Sequence, residues 1–66
     1  MKVIINGKEE ELRENSTIND ILAKLNLNSP MIVVEKNLEI ISKDHYASCI
    51  VQENDKIEIV GFFGGG

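Results

Sequence analysis

A single cysteine and a single histidine in 66 residues remove two of the usual ways in which a very small domain is held together. Cys49 has no partner for an internal disulfide, and His45 has no CxxC or HxxxH companion with which to form a metal site. Apolar packing must then hold the fold, in a chain close to the lower size limit for unstapled domains. There is room for one domain, residues 1–66, and none for an elaborate active-site cleft. No apolar run approaches the length of a membrane span, and the opening MKVIIN turns polar at NGKEEE, too early for a signal peptide. Neither sequence feature points to a membrane, and a reducing cytoplasm is the expected compartment. Seven basic side chains stand against eleven acidic ones, a formal charge of −4, and no Lys/Arg cluster interrupts the acidic excess. Nucleic acid is therefore not expected as a partner.

What is present is an ordinary globular balance, 42% apolar and 27% charged, with punctuated local patterns. In MKVIIN, Met1, Val3 and Ile5 alternate with Lys2 and Asn6, the period of a strand packed on one face, although Ile4 interrupts the polar side. Asn6-Gly7 suits a tight hairpin turn. The return segment EEELRE has Leu12 as its only apolar anchor, and its three glutamates are expected to face water. In STINDILAKLNL, Ser16 or Thr17 can cap a helix, Asp20 stands at capping-box spacing, and Ile18, Ile21, Leu22 and Leu25 fall on one face. Asn26 and Asn28 suit the helix end, which is predicted before Ser29 because Pro30 cannot continue it.

MIVVE predicts a strand with both faces at least partly covered, since its apolar run is almost unbroken. Lys36-Asn37 turns the chain into LEIIS. CIVQ and KIEIV supply further apolar segments around the turn at Glu53-Asn54-Asp55. Two hairpins with a helix between them predict an α+β fold of the β-grasp type, a mixed four- to five-stranded sheet packed on one main helix, with the strand after the helix placed beside the first.

Hydrolytic chemistry needs a nucleophile with a base, or paired carboxylates in a sheltered pocket. Asp44-His45-Tyr46 is the only cluster that invites such a reading, and it lies in a polar turn with no serine placed to complete a triad. His45 is read as a solvated loop residue and Cys49 as a small packed hydrophobe. GFFGGG, residues 61–66, is different. Phe62 and Phe63 would point to opposite faces of a continuing strand, so at most one can enter the domain's own core and the other is available to a partner. Gly64, Gly65 and Gly66 have no Cβ and can thread a narrow passage. Extended, the tail reaches roughly 20 Å from the sheet. A frayed end or a residual linker would have the same composition.

With these elements the chain resembles the ThiS-type sulfur carrier proteins of thiamine biosynthesis, small β-grasp relatives of ubiquitin that end in a free diglycine. The resemblance covers the whole chain: the opening strand with NG, the STINDILAKL helix, the MIVVEKNLEII hairpin, the IVQENDKIEIV segment and the final GGG. Two departures stand out. Asn54 occupies a turn position where the family usually has glycine, and Leu38 follows Asn37 where Asn-Gly is common. Asn tolerates left-handed backbone, so the first change keeps the turn.

The resemblance implies a carrier and not an enzyme. An E1-like adenylyltransferase of the ThiF type would adenylylate the Gly66 carboxylate with MgATP, with Gly64 and Gly65 in its narrow channel. Sulfur from a cysteine desulfurase relay would replace AMP, and the thiocarboxylate would feed thiazole synthase of the ThiG type. No cofactor is expected on the chain itself, which has no phosphate loop. Val60, Phe62 and Phe63, beside the tail, are the expected docking residues. The carrier of molybdopterin synthesis is a related alternative, disfavoured by the short chain. An adaptor of the same fold whose glycines are incidental is a second.

Overall fold

Residues 1–27 and 31–61 are described by the structure, a computed structural model. Strands β1 (Lys2–Ile5) and β2 (Lys8–Glu11) form an antiparallel hairpin. Asn6 and Gly7 close it with φ angles of 50° and 83°, the paired left-handed conformations of a type I′ turn. A Cβ added at Gly7 would meet nothing within 4 Å; glycine is favoured there by its backbone angle alone. Val3 and Ile5 are buried, Lys2 is exposed and Ile4 half-buried. Glu9 and Glu11 face water as expected, whereas Glu10 is half-buried because it pairs with Val3 on the core-facing side.

Helix α1 (Ile18–Lys24) carries a complete capping box. Thr17 Oγ1 accepts from the Asp20 amide at 3.1 Å, and Asp20 Oδ2 accepts from the Thr17 amide at 2.9 Å. The other end closes on Asn26, at φ 61°. Its amide donates to the Ala23 carbonyl at 3.1 Å and the Leu27 amide to the Leu22 carbonyl at 2.8 Å, the paired bonds of a Schellman motif. Asn26 therefore ends the helix ahead of Pro30. Asn28, Ser29 and Pro30 lie outside the described residues.

Strands β3 (Ile32–Lys36) and β4 (Glu39–Ile41) form the second hairpin. Asn37 and Leu38 turn it at φ 52° and 73°. Strand β5 (Lys56–Gly61) completes a five-stranded sheet of order β2-β1-β5-β3-β4. This is the expected β-grasp, with one correction: β3 does not lie beside β1. β5 stands between them, parallel to β1 and antiparallel to β3. The two hairpin turns fix it there by side chain. Asn6 Oδ1 accepts from the Ile59 amide at 2.8 Å and its Nδ2 donates to the Ile59 carbonyl at 3.3 Å. From the other side, Asn37 Oδ1 accepts from the Lys56 amide at 3.0 Å, and its own amide donates to the Lys56 carbonyl at 2.8 Å.

Residues 49–52 make no strand. Ile50 forms one isolated bridge with Thr17, and the neighbouring bonds serve the helix entrance: the Ile18 amide donates to the Cys49 carbonyl and the Val51 amide to the Ser16 carbonyl. Asp55 Oδ2 then takes the Gln52 amide at 2.8 Å, which turns the chain into β5. Asn54 in that turn has φ 69°, the left-handed backbone anticipated for it.

The core lies between the sheet and α1, where Val3, Val34, Ile57, Ile18 and Ile21 are fully buried. Leu25 and Cys49 pack against its margin. The opposite face of the sheet has no such cover. Ile32 and Val34 point into the core, but Val33 between them is 43% exposed. The expectation that both faces of MIVVE are at least partly covered is met fully on the helix side and only in part at Val33, because the single helix can lie on only one side of the sheet.

Candidate functional site

The segment that the sequence singles out begins where β5 ends. Gly61 is still in the strand, paired with Ile32. Val60, directly opposite Val33, is 57% exposed on the open face. Phe62, Phe63, Gly64, Gly65 and Gly66 lie outside the described residues. What the structure positions is therefore the root of the tail. Asn6 holds both backbone groups of Ile59, two residues before Gly61, so the departure point is tied to the first hairpin. A chain of five further residues can span roughly 17 Å when extended.

The remaining candidates are not gathered near this root. His45 sits on an exposed 3-10 turn, Lys43–His45, as a solvated loop residue should. Its Nδ1 is 3.0 Å from Ser42 Oγ, a contact within one turn of chain that the sequence reading did not anticipate. Both residues are exposed, and the structure gives Asp44 no bond to the ring that would orient it as a base requires. Cys49 is half-buried at the core margin. Among the described residues no three His, Cys, Asp or Glu side chains are grouped to hold a metal ion, and no helix is long and apolar enough to cross a membrane.

A concavity of about 560 Å³ lies between the β2–α1 connection and the helix, lined by Glu11, Arg13, Asp20 and Lys24 among others. Beside it, the Met1 ammonium donates to Glu11 Oε2 at 2.9 Å. That hydrogen bond is the main cause that holds the Glu11 carboxyl below its ordinary range, and it also raises the ammonium. Because β1 and β5 run parallel, this charged end of the sheet is opposite to the end from which the tail leaves. The concavity and the tail root are separate features.

Sequence reasoning named Val60 but missed two features of the root. One is Asn6, whose only visible signal was its suitability for a turn. The other is the apolar company of Val60, since the alternation that exposes Val33 is hidden inside an unbroken β-branched run.

Residues 3–66 match the ThiS family. The chain belongs to that family. The matched span includes the GFFGGG segment and the whole fold apart from the first residue of β1. The sulfur carrier protein ThiS of Bacillus subtilis (strain 168) is 41% identical over 63 residues, covering 94% of this chain and 96% of that protein. A thiazole synthase of Paramagnetospirillum magneticum (strain ATCC 700264 / AMB-1) is 44% identical over 66 residues; all of this chain matches, but it spans only 20% of that protein's length. A crystal structure of the thiamine biosynthesis protein ThiS from Geobacter metallireducens superposes with a TM-score of 0.83 at 26% identity, covering 100% of both chains. That solved structure shares the fold of this chain, a five-stranded β-grasp sheet with one helix.

Proposed function

We propose that this chain is a sulfur carrier of thiamine biosynthesis and acts as a co-substrate of other enzymes in the cytoplasm. The observation that carries the reading is the family match from residue 3 to Gly66, because it joins the β-grasp body and the glycine tail in one unit. The relative named as a ThiS sulfur carrier, matched over nearly its whole length, supports the same reading. Relatives named thiazole synthase contain a stretch alike to this entire chain, which favours thiazole synthase as the acceptor over the molybdopterin pathway.

A carboxylate is a poor acyl donor until one oxygen is made a good leaving group. In the proposed sequence the Gly66 carboxylate attacks the α-phosphate of MgATP on an E1-like adenylyltransferase, releasing pyrophosphate and forming an acyl-adenylate. Sulfur supplied by a cysteine desulfurase relay replaces AMP and leaves a terminal thiocarboxylate, which thiazole synthase consumes. ATP and its metal are bound by the activating enzyme. This chain contributes a carboxylate on Gly64, Gly65 and Gly66, residues without a Cβ that fit a confined channel, and a docking surface that includes Val60, Phe62 and Phe63.

Intact-protein mass spectrometry after incubation with MgATP, the activating enzyme, a cysteine desulfurase and cysteine tests the reading. A gain of about 16 Da mapped to Gly66 is expected, as oxygen becomes sulfur through acyl activation. No gain under conditions that convert a control carrier would overturn it.

A further inference from the structure

The side chain of Asn6 does more than its turn requires. Type I′ turns accept asparagine, aspartate or glycine at this position, so the backbone angle there, φ 50°, does not by itself call for an amide. Asn6 is exposed and adds nothing to the core. Its amide group is directed at β5. Strand β1 ends at Ile5, opposite Ile57, while β5 runs on to Gly61. The Asn6 backbone amide still donates to the Ile57 carbonyl at 2.9 Å. A parallel ladder would next use the Asn6 carbonyl as acceptor for the Ile59 amide, but by then the chain has turned away. Asn6 Oδ1 takes that place at 2.8 Å, and Nδ2 adds a bond to the Ile59 carbonyl at 3.3 Å. The side chain thus carries the ladder one rung past the end of the strand. Beyond that rung, among the described residues, β5 is paired on its other flank alone, Val60 with Val33 and Gly61 with Ile32.

We propose that Asn6 is a positioning residue for the tail: its clasp on Ile59 sets the direction in which the chain leaves the sheet, and with it the aim of the Gly66 carboxylate at the phosphate it must attack. The proposal rests on the carrier reading. Without the clasp, the last residues of β5 can swing about their pairing with β3, and the carboxylate samples directions that do not lead to the phosphate. Narrowing that search in the free carrier removes an ordering cost that would otherwise fall on the productive complex. An angular error at the root matters because the reacting oxygen lies on Gly66, roughly 17 Å of extended chain beyond Gly61. Of the residues that suit the turn, only asparagine offers both a donor and an acceptor. Asn37 does the same kind of work at the far end of β5. It turns the second hairpin at φ 52° and bonds both backbone groups of Lys56, well away from the tail, which makes it the natural control.

The test compares Asn6→Gly with Asn37→Gly in carrier-dependent ATP–pyrophosphate exchange by the activating enzyme, at a temperature where circular dichroism shows both variants folded. Each substitution keeps a residue suited to positive φ and removes a clasp on β5, so both are expected to lower the melting temperature. Only Asn6→Gly is expected to slow the chemistry, with kcat down about fivefold or more and the KM for the carrier unchanged, since the side chains proposed for docking are unaltered. Asn6→Asp keeps the turn and one acceptor but sets a carboxylate oxygen against the Ile59 carbonyl; the same loss of kcat is expected, so the test stands even where the glycine variant does not fold. In the isolated domain, hydrogen exchange at the Val60 and Gly61 amides is expected to quicken in Asn6→Gly and not in Asn37→Gly. A wild-type kcat in folded Asn6→Gly and Asn6→Asp overturns the positioning role and leaves the carrier reading standing. An equal loss of kcat in Asn37→Gly reduces the effect to general stability and also overturns it. If the wild type supports no exchange while a control carrier does, the carrier reading fails and the role of Asn6 falls with it.

Discussion

Leu38 is the one side chain other than asparagine, among the described non-glycine residues, that holds left-handed backbone. Asn6, Asn15, Asn26, Asn37 and Asn54 occupy the other positive-φ positions, five of the seven asparagines in the chain. Asparagine tolerates this conformation because its short polar side chain can bond locally, whereas a leucine pays about 1–2 kcal/mol there. Leu38 is also 89% exposed, so burial returns little of that cost. Replacing Leu38 with glycine is expected to stabilise the domain by about 0.5–1 kcal/mol, the relieved strain less the added freedom of the unfolded chain. Urea denaturation would show it as a higher midpoint at unchanged slope, and a lower midpoint would mean that Leu38 makes a contact worth more than its strain. The sequence marked Leu38 as a departure that weakens the local signal for a hairpin, not the hairpin itself. The turn takes its type I′ form because β3 and β4 pair beside it and dictate the angles. Asn6 was legible as a turn residue, but its two bonds to Ile59 were not, since their partner lies 53 positions away.

The elements were largely legible one by one, and their arrangement less so. Helix α1 shows why: its start, stripe and stop are all encoded within a few residues of one another, by Thr17 with Asp20, by Ile18, Ile21 and Leu22, and by Asn26. Removing the cap with Thr17→Ala is expected to cost about 1 kcal/mol, read as a lower melting temperature, and Thr17→Ser should recover most of it. A loss no greater than that of an exposed mid-helix substitution such as Ala23→Ser would show that the box contributes nothing. Strand order has no comparable local code. The pairing of Ile4 with Lys56 joins distant segments, and nothing in either segment names the other. β-branched runs are similarly ambiguous, because they favour pleated backbone whether or not they are covered. MIVVE therefore concealed an open face, and CIVQ, equally apolar, became a buttress for the helix entrance. The tail was legible as residue types, and its residues beyond Gly61 remain a matter for the loading experiment.

For the molecule as a whole, 66 residues correspond to a total stability of roughly 3–10 kcal/mol, so the middle of the sheet has little margin. Ile57 is fully buried on β5, the strand that joins both hairpins. Ile57→Ala is expected to cost about 2–5 kcal/mol through lost burial and the cavity left behind, enough to leave a measurable unfolded population at 25 °C by circular dichroism. A variant that retains its full wild-type transition midpoint would show that the core can collapse around the gap. The sheet's order has a mechanical consequence. β5 leads directly to the tail, and its flanks are bonded to β1 on one side and β3 on the other, with ladder bonds lying across the strand direction. Tension applied beyond Gly61 while Met1 is held is directed along β5, so the bonds on its flanks must shear together and cannot be peeled one at a time. A domain pulled by its tail into another protein's channel is thus gripped along the axis in which it yields least.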